Sequence, residues 1–334
     1  MPGNAEALAR RGLLAVGAGL PGAGGSCRAF AQGAAPGFPS RAVTIVVPFA
    51  PGGLADVLAR LMAEKLSRSL GNSVVVENRP GAGGITGARA VASAAPDGHT
   101  LLLANTNLAI NPSLYRSLPY DTATAFTPIT LAVTVPNVIV VRASVPARSL
   151  AELIALAKAE PGRLNYASAG NGTFPHLAMA LLLQQAGISM THVPYNGAAP
   201  AMTAILAGQV EALSSDPVGA AQQIAAGALR PLAVTSSARL ATLPDVPTVA
   251  EAGLPGFKAA GWQGFVAPAG TPAPVIATLH KAFSAALAAP DVRERLASQG
   301  VTFASGSPAD FGEFLRRDMQ RWKTAVAASG AAVE

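Results

Sequence analysis

Short β-branched runs that end in glycine- or proline-rich loops, each followed by a segment of helical periodicity, constrain the fold of this sequence most strongly. Val43–Val47 is followed by Pro48 and the loop Phe49–Gly53, and apolar residues at helical spacing begin near Asp56. Val74–Val76 starts the same succession again. Repeated strand–loop–helix units predict an α/β protein with mostly parallel sheets and flanking helices on both faces.

The middle of the chain repeats this order. It predicts strands over Val138–Val141 and Leu164–Ala167, and helices over Leu150–Ala159 and Pro175–Ala186. Leu232–Val234 is predicted to be the strand that crosses back towards the first half. A chain of 334 residues suits about two lobes. The expected division is a signal peptide over 1–31, one lobe over 38–133 plus 237–334, and a second lobe over 134–236.

The charge pattern argues against a nucleic-acid partner. The formal net charge is +6, but the basic residues are dispersed, and aromatic residues make up only 5% of the chain. Nucleic-acid-binding proteins cluster their positive charge and add aromatic platforms for stacking. A diffuse positive field instead favours small anions.

The amino terminus resembles an export signal. Arg10 and Arg11 precede the short apolar stretch 12–20, and Ala29–Ala31 matches the A-x-A pattern before a cleavage site. Cleavage after Ala31 would place the mature protein in the periplasm and remove Cys27, the only cysteine. The alternatives are a disordered tail, a lipid anchor at Cys27, and export by the twin-arginine route.

Three loops lie where open α/β sheets bind ligands, between the carboxyl end of a strand and the start of a helix. They are 49–54, 168–173 and 214–217. Glycines there permit close approach of the backbone, and the N–H groups at a helix start attract an anion. Two such loops facing each other would hold a carboxylate without a cationic side chain. The predicted ligand-binding residues are Phe49, Ala50, Pro51, Gly52, Gly53, Leu54, Asn105, Thr106, Ser168, Gly170, Asn171, Gly172, Thr173, Ser215 and Asp216.

Two further residues, Asp56 and His176, are predicted to support these loops, and Thr173 is given a second role. Asp56 is expected to brace the first loop from the start of its helix, because a carboxylate facing the ligand directly would repel it. Thr173 is expected to cap the helix that follows the second loop. His176 is expected either to orient that loop or to contact the ligand.

Signatures of catalysis and of bound cofactors are absent from the sequence. The four histidines are far apart, and no H-E-x-x-H pattern is present, which argues against a zinc site. Neither a G-x-S-x-G elbow nor a phosphate-binding loop with Lys occurs. A G-x-G-x-x-G run at 17–22 lies in the leader with no strand before it. We therefore expect a binding protein with no cofactor or metal, and not an enzyme.

Several motifs in fixed order carry a resemblance to a known family. They are VTIVVPFAPGG at 43–53, ENRPGAGG at 77–84, APDGHTLL at 95–102, NPSLYRSLPYD at 111–121, ASAGNGTFPHL at 167–177, HVPYNGAAP at 192–200 and LPDVPTVAEAGLPGF at 243–257. From about residue 38 to its end, the chain resembles the substrate-binding proteins of tripartite tricarboxylate transporters, also called the Bug family.

The resemblance implies a periplasmic protein with two α/β lobes of the type II binding-protein fold, which closes on its ligand around a strand hinge. It implies a small mono-, di- or tricarboxylate or an acidic amino acid as ligand and a membrane permease as partner. We expect the protein to be a monomer. A sensor that docks on a membrane receptor and a carboxylate-processing enzyme are the rival functions. Ala55 and Ser214-Ser215 depart from the residues frequent in the family, so the resemblance does not name the ligand.

Overall fold

The computed structural model describes residues 37–331 apart from Ala50, Asn196, Ser298, Gln299 and Ser305. The predicted leader 1–31 with Cys27, and the predicted ligand residue Ala50, lie outside these residues. The strands are β1 Val43–Val47, β2 Val74–Asn78, β3 Thr100–Asn105, β4 Phe126–Pro136, β5 Val138–Arg142, β6 Asn165–Ser168, β7 Thr191–Pro194, β8 Ala212–Ser215, β9 Leu229–Val234, β10 Ala260–Pro268 and β11 Thr302–Phe303. The helices are α1 Leu54–Leu70, α2 Ile85–Ala92, α3 Thr106–Leu114, α4 Leu150–Ala159, α5 Phe174–Ala186, α6 Ala198–Leu206, α7 Pro217–Ala225, α8 Ala273–Ala288, α9 Pro290–Ala297 and α10 Pro308–Ser329. A 3-10 turn covers Ala82–Gly84.

The strands form two sheets of mixed direction. The first has the order β11-β4-β10-β3-β1-β2, and the second has the order β7-β6-β8-β5-β9. β1 pairs in parallel with β2 and β3, and β6 pairs in parallel with β7 and β8. β10 runs antiparallel between β3 and β4, and β5 runs antiparallel between β8 and β9. The prediction of an α/β protein with two sheets and flanking helices is confirmed. The sheets are mixed rather than mostly parallel, because β10 and β11 in the first sheet and β5 in the second run antiparallel to their neighbours.

The chain passes between the sheets at a different place from the one predicted. β4 and β5 are joined through Asn137, so the first crossing takes a single residue. Leu232–Val234 belongs to β9, which stays at the edge of the second sheet, and β10 makes the return. The prediction of a crossing at 232–234 was therefore wrong. An apolar run shows that a strand is buried, but its pairing partner is decided by long-range contacts.

Apolar helix faces cover both sides of each sheet. α1, α8 and α9 contribute to one core of the first sheet, and α2, α3 and α10 pack on its other face. α4 and α5 cover one face of the second sheet, and α6 and α7 cover the other. The segment between β9 and β10 also packs on the second sheet, through Leu240, Val249 and Phe257.

The last helix, α10, contacts elements of both sheets. Its buried Trp322 meets Phe174 of α5 edge to face at 5.8 Å between ring centroids. The indole N–H groups of Trp262 and Trp322 both donate to Oδ2 of the buried Asp318, at 2.7 and 2.9 Å. This shared carboxylate ties α10 to β10, and burial raises the pKa of Asp318 above its ordinary value. None of the helices in the described part of the chain has the length and apolarity to cross a membrane.

Candidate functional site

Loop 1, defined as Phe49–Leu54, joins the end of β1 to the start of α1. Gly52 has φ +94, which an L side chain rarely adopts, and Gly53 is the N-cap residue of α1. Pro51, Gly52 and Gly53 are exposed, whereas Phe49 and Leu54 are half-buried. The first N–H groups of a helix lack partners within the helix, so α1 presents donors and a positive dipole end at this loop.

A buried carboxylate holds loop 1 from behind. Asp56 Oδ2 accepts from Gly52 N at 3.1 Å and from Arg60 Nε at 2.9 Å, and its Oδ1 accepts from Asn78 Nδ2 at 3.0 Å. The same amide nitrogen of Asn78 donates to Phe49 O at 3.1 Å. The hydrogen bond from Arg60 is the main reason that the pKa of Asp56 falls from 3.8 to about 2. Asp56 therefore braces the loop in its ionised form, as the sequence predicted.

Loop 2, defined as Ser168–Thr173, joins β6 to α5 at the corresponding place in the second sheet. Gly170 has φ +136 and Gly172 has φ +70. Thr173 is the N-cap residue, but its hydroxyl does not cap the helix; it donates to Gly170 O at 2.7 Å and closes the loop on itself. The prediction that Thr173 is the N-cap residue is confirmed, although its side chain makes no capping hydrogen bond. Asn171 is exposed at the tip, and Gly172 is buried.

Two histidines lie behind loop 2. Gly172 N donates to His176 Nδ1 at 3.0 Å, so His176 orients the loop through its backbone. His192 Nε2 lies 2.7 Å from Ser168 Oγ, which also accepts from Gly170 N at 3.2 Å. The rings of the two histidines stack at 3.8 Å between centroids with an interplanar angle of 5°. Burial lowers the pKa of each histidine from 6.5 to about 4.

The strand pairing places the predicted loops at the carboxyl ends of parallel strands, on the side of each sheet that lies next to the crossing at Asn137. β1 and β3 are parallel neighbours, so loop 1 and Asn105 share one edge of the first sheet. β6 and β8 are parallel neighbours, so loop 2 and the residues after Ser215 share one edge of the second sheet. Val138, next to the crossing, pairs with Ser215. A Cβ placed on Gly172 would lie 2.2 Å from Leu114 Cδ2 of α3, so loop 2 touches an element packed on the first sheet.

Some predicted ligand residues have their polar atoms engaged within the protein. The hydroxyl of the buried Thr106 accepts from Trp262 N at 2.8 Å, and Asp216 Oδ1 caps α7 by accepting from Gly219 N at 2.6 Å. Asn105 caps α3 by accepting from Asn107 N at 3.2 Å. Ser215 is buried at the end of β8. These contacts show local supporting roles for Asn105, Thr106 and Asp216, and the part of all four residues in ligand binding stays a prediction.

The third loop is tied to the crossing. Asn137 Nδ2 donates to Ser214 Oγ at 2.8 Å. Asn137 also makes two hydrogen bonds with Thr235: Asn137 N donates to the hydroxyl Oγ1 of Thr235, and Thr235 N donates to Asn137 O, both at 2.8 Å. Ser214, one of the departures from the frequent family residues, thus contacts the crossing segment. Ala55, the other departure, is buried in the core under α1.

Sequence reasoning missed Asn78, Arg60 and His192 as supporting residues. Asn78 stands in the ENRPGAGG motif, so its presence in a quoted motif was the signal that could have found it. Arg60 lies one helical turn after Asp56, a spacing that favours ion pairs. His192 begins the HVPYNGAAP motif, which was the signal that could have found it, but its pairing with His176, 16 positions earlier, has no local signal.

The geometry suits reversible capture of an anion. Each loop lies at a helix start, where the first N–H groups lack partners within the helix, and hydrogen bonds to an ionised acceptor are stronger than neutral ones. The amides of Gly52, Gly170 and Gly172 instead donate within the protein and fix the shape of the loops. Within the described residues, no group of three or more metal-ligating side chains occurs.

Comparison with known proteins decides the family. Residues 58–331 match the tripartite tricarboxylate transporter family receptor, TctC. The chain belongs to the TctC receptor family. Membership places it among transport receptors that bind solutes and not among enzymes, and it confirms the resemblance to the Bug proteins.

Relatives and solved structures agree with this membership. Protein BugT of Bordetella pertussis is 38% identical over 296 residues, which cover 88% of this chain and 91% of BugT. A Rhodopseudomonas palustris protein solved with adipate is 36% identical, with a TM-score of 0.78 over 88% of this chain and 99% of the other. MatC from R. palustris, solved with malate, is also 36% identical, with a TM-score of 0.74 over 86% of this chain and all of MatC (100%).

Proposed function

We propose that this TctC-family chain is a periplasmic receptor that binds a small carboxylate, most simply a dicarboxylate, between loop 1 and loop 2. The observation that carries the proposal is the pair of braced glycine loops, each at a helix start and each at the sheet edge that faces the Asn137 crossing. The ligands of two similar proteins, adipate and malate, are both dicarboxylates.

In this proposal, backbone amides at the two helix starts and the side chain of Asn171 hold the carboxylate groups, while the Thr173 hydroxyl keeps loop 2 closed through Gly170 O. The protein closes around the Asn137 crossing and removes the ligand from water, which strengthens charge-assisted hydrogen bonds. We retain the proposed division into lobes near 134–236, and the packing of Leu240, Val249 and Phe257 extends the second lobe towards β10.

The location and the membrane partner of the protein form a further part of the proposal. The chain is exported with cleavage after Ala31, acts as a monomer in the periplasm, and delivers its ligand to the permease of a tripartite transporter. A receptor that senses the ligand and docks on a different membrane protein would use the same site. Copurification of the liganded protein with membrane proteins distinguishes these two partners.

A thermal-shift screen of the purified protein tests the ligand class, with malate and adipate as probes and their diamides as matched neutral controls. A ligand at one hundred times its dissociation constant adds about 2.7 kcal/mol to the free energy of unfolding. We expect stabilisation by a dicarboxylate and none by its diamide. Stabilisation by the diamides alone would contradict the proposal.

Calorimetry on loop 2 variants tests the site. Asn171→Ala should weaken dicarboxylate binding by about 1.5–3 kcal/mol, or roughly ten- to a hundredfold, because it removes a charge-assisted contact. Thr173→Ala should weaken it by about 0.5–1.5 kcal/mol, because it removes the neutral hydrogen bond that closes loop 2. Thr173→Ser, which keeps the hydroxyl bonded to Gly170 O, is the control and should bind nearly as the parent does. Unchanged affinity in both alanine variants would remove loop 2 from the site.

A further inference from the structure

The two histidines behind loop 2 form one unit that touches both ends of the loop. His192 meets Ser168, the first residue, and His176 meets Gly172, the last residue but one. Tyr166 of β6 continues the stack, with its ring 5.0 Å from that of His192 at an angle of 25°. Buried aromatic rings in parallel contact restrict one another's orientation, so each imidazole is fixed by its neighbour as well as by its hydrogen bond.

The hydrogen bond to Gly172 requires a neutral ring. Gly172 N–H is a donor, so His176 Nδ1 must offer a lone pair, and a proton on that nitrogen would break the bond. Two protonated rings 3.8 Å apart would repel each other, so the stack itself holds at most one charge. The burial that lowers both pKa values to about 4 favours the same neutral state.

Among the described residues, the groove beside the two rings contains no carboxylate that could pair with a protonated ring. A groove of about 560 Å³ borders the rings, between α5, the segment before β7 and the end of α10. Tyr166 is the other titratable residue among those lining it, and burial raises the pKa of Tyr166, so it stays neutral. Within the described residues, the lining from all of these elements is otherwise uncharged. A proton on either imidazole therefore acts on loop 2 without compensation by a neighbouring carboxylate.

We propose that the stacked pair His176–His192 is a positioning device for loop 2, in which the neutral rings hold the loop in its ligand-binding shape and protonation of the pair releases Gly172. This inference rests on the proposed function, because it assigns the regulation of the same binding loop. Below the pH at which the pair accepts a proton, the backbone amide of Gly172 turns away from its present direction, and the affinity for a carboxylate falls.

Isosteric variants separate positioning from packing. His176→Asn places its amide oxygen near the position of Nδ1 and keeps the acceptor for Gly172 N–H, whereas His176→Leu removes it. His192→Gln similarly keeps a polar atom near Nε2 for Ser168 Oγ, and His192→Leu does not. If the histidines only filled space, Leu would replace them better than Asn or Gln. The two roles therefore predict opposite orders of the variants in how well they protect the amide of Gly172.

Amide exchange in the ligand-free protein is the primary measurement, because it needs no ligand. Relative to Gly52 of loop 1, exchange at Gly172 should rise about tenfold in His176→Leu, the ratio expected for one lost hydrogen bond. His176→Asn should stay within about threefold of the parent. As the pH falls below about 5, the ratio of Gly172 to Gly52 exchange should rise in the parent but not in His176→Asn, on the basis of the lowered histidine pKa values.

Affinity measurements complete the test, with malate and adipate as probes. If the parent binds one of them, we expect His176→Leu to bind about three- to tenfold more weakly and His176→Asn to restore the affinity. Equal exchange in the Leu and Asn variants, or imidazole signals that titrate near 6.5 while Gly172 is unaffected, would overturn the positioning role. If the parent binds no carboxylate but the variants show the expected exchange rates at Gly172, the proposed function is wrong and the positioning of loop 2 by the histidine pair is supported.

Discussion

Loop 1 and loop 2 occupy equivalent places in the two sheets, but they are held by opposite kinds of chemistry. Loop 1 is braced by an ionised carboxylate, Asp56, which takes three hydrogen bonds and keeps its charge down to a pH of about 2. Loop 2 is braced by two neutral imidazoles that burial keeps uncharged down to about 4.

Two similar glycine loops can therefore respond to different solution conditions, one to ionic strength and the other to pH. A charged brace depends on its partners and on ionic strength, because Arg60 is more than half exposed. A stacked neutral brace depends on packing and on protonation, because its members are buried or half-buried behind the loop. The next three predictions test this contrast, from the largest effect to the smallest.

Alanine at the left-handed glycines should separate the loops most clearly. Gly52→Ala meets only backbone strain, since its Cβ would lie in open space, and should lower the free energy of unfolding by about 1–2 kcal/mol. Gly172→Ala adds a clash with Leu114 and should cost about 3 kcal/mol or more. Urea denaturation measures both values.

A double variant supplies the control. Leu114→Ala in the Gly172→Ala background removes the clashing side chain, so the two changes together should cost less than the sum of their separate effects. Strict additivity would mean that Leu114 does not cause the extra cost of a side chain at position 172. Equal losses of unfolding free energy in Gly52→Ala and Gly172→Ala would mean that the two loops do not differ in how tightly they are packed.

Acidification should loosen loop 2 before loop 1. For the histidines, the folded pKa of about 4 lies below 6.5, so the unfolded chain takes up protons first, and the free energy of unfolding decreases between pH 6.5 and about 4. For Asp56, the folded pKa of about 2 lies below 3.8, so its stabilisation is lost as the pH falls from 3.8 through about 2. Amide chemical shifts of Gly172 and Gly52 during an acid titration should move in that order, and a simultaneous transition would contradict it.

Removing the exposed cation of loop 1 should have the smallest effect. Arg60→Gln should lower the free energy of unfolding only slightly, and less in high salt, because exposed ion pairs contribute little. Arg68→Gln, which removes a similar pair with Glu64 on the same helix but away from the loop, is the matched control. If binding of malate or adipate responds to both substitutions equally, Arg60 has no specific part in holding loop 1.

Local sequence patterns were sufficient to predict the elements whose apolar residues form an unbroken run or a regular helical stripe. The bounds of β1 and α4 were predicted from a β-branched run and a helical stripe, and the structure has them at Val43–Val47 and Leu150–Ala159. β4 and β10 were missed. β10 combines Gly261, Gln263 and Gly264 with its apolar residues, and its pairing with β4 shifts register twice, so neither a continuous run nor an alternating pattern marks it.

We could predict the α/β class, the position of both glycine loops at helix starts and the bracing role of Asp56 from the residues alone, because each depends on residues within one turn or one strand–loop–helix unit. The folded chain was needed to show which strands are neighbours, that Ser214 contacts Asn137, and that His192 stacks on His176. Those contacts join residues separated by tens of positions or by a whole helix, and long-range pairing is selected by the packing of complete sheets and helices, which leaves no local signature in the chain.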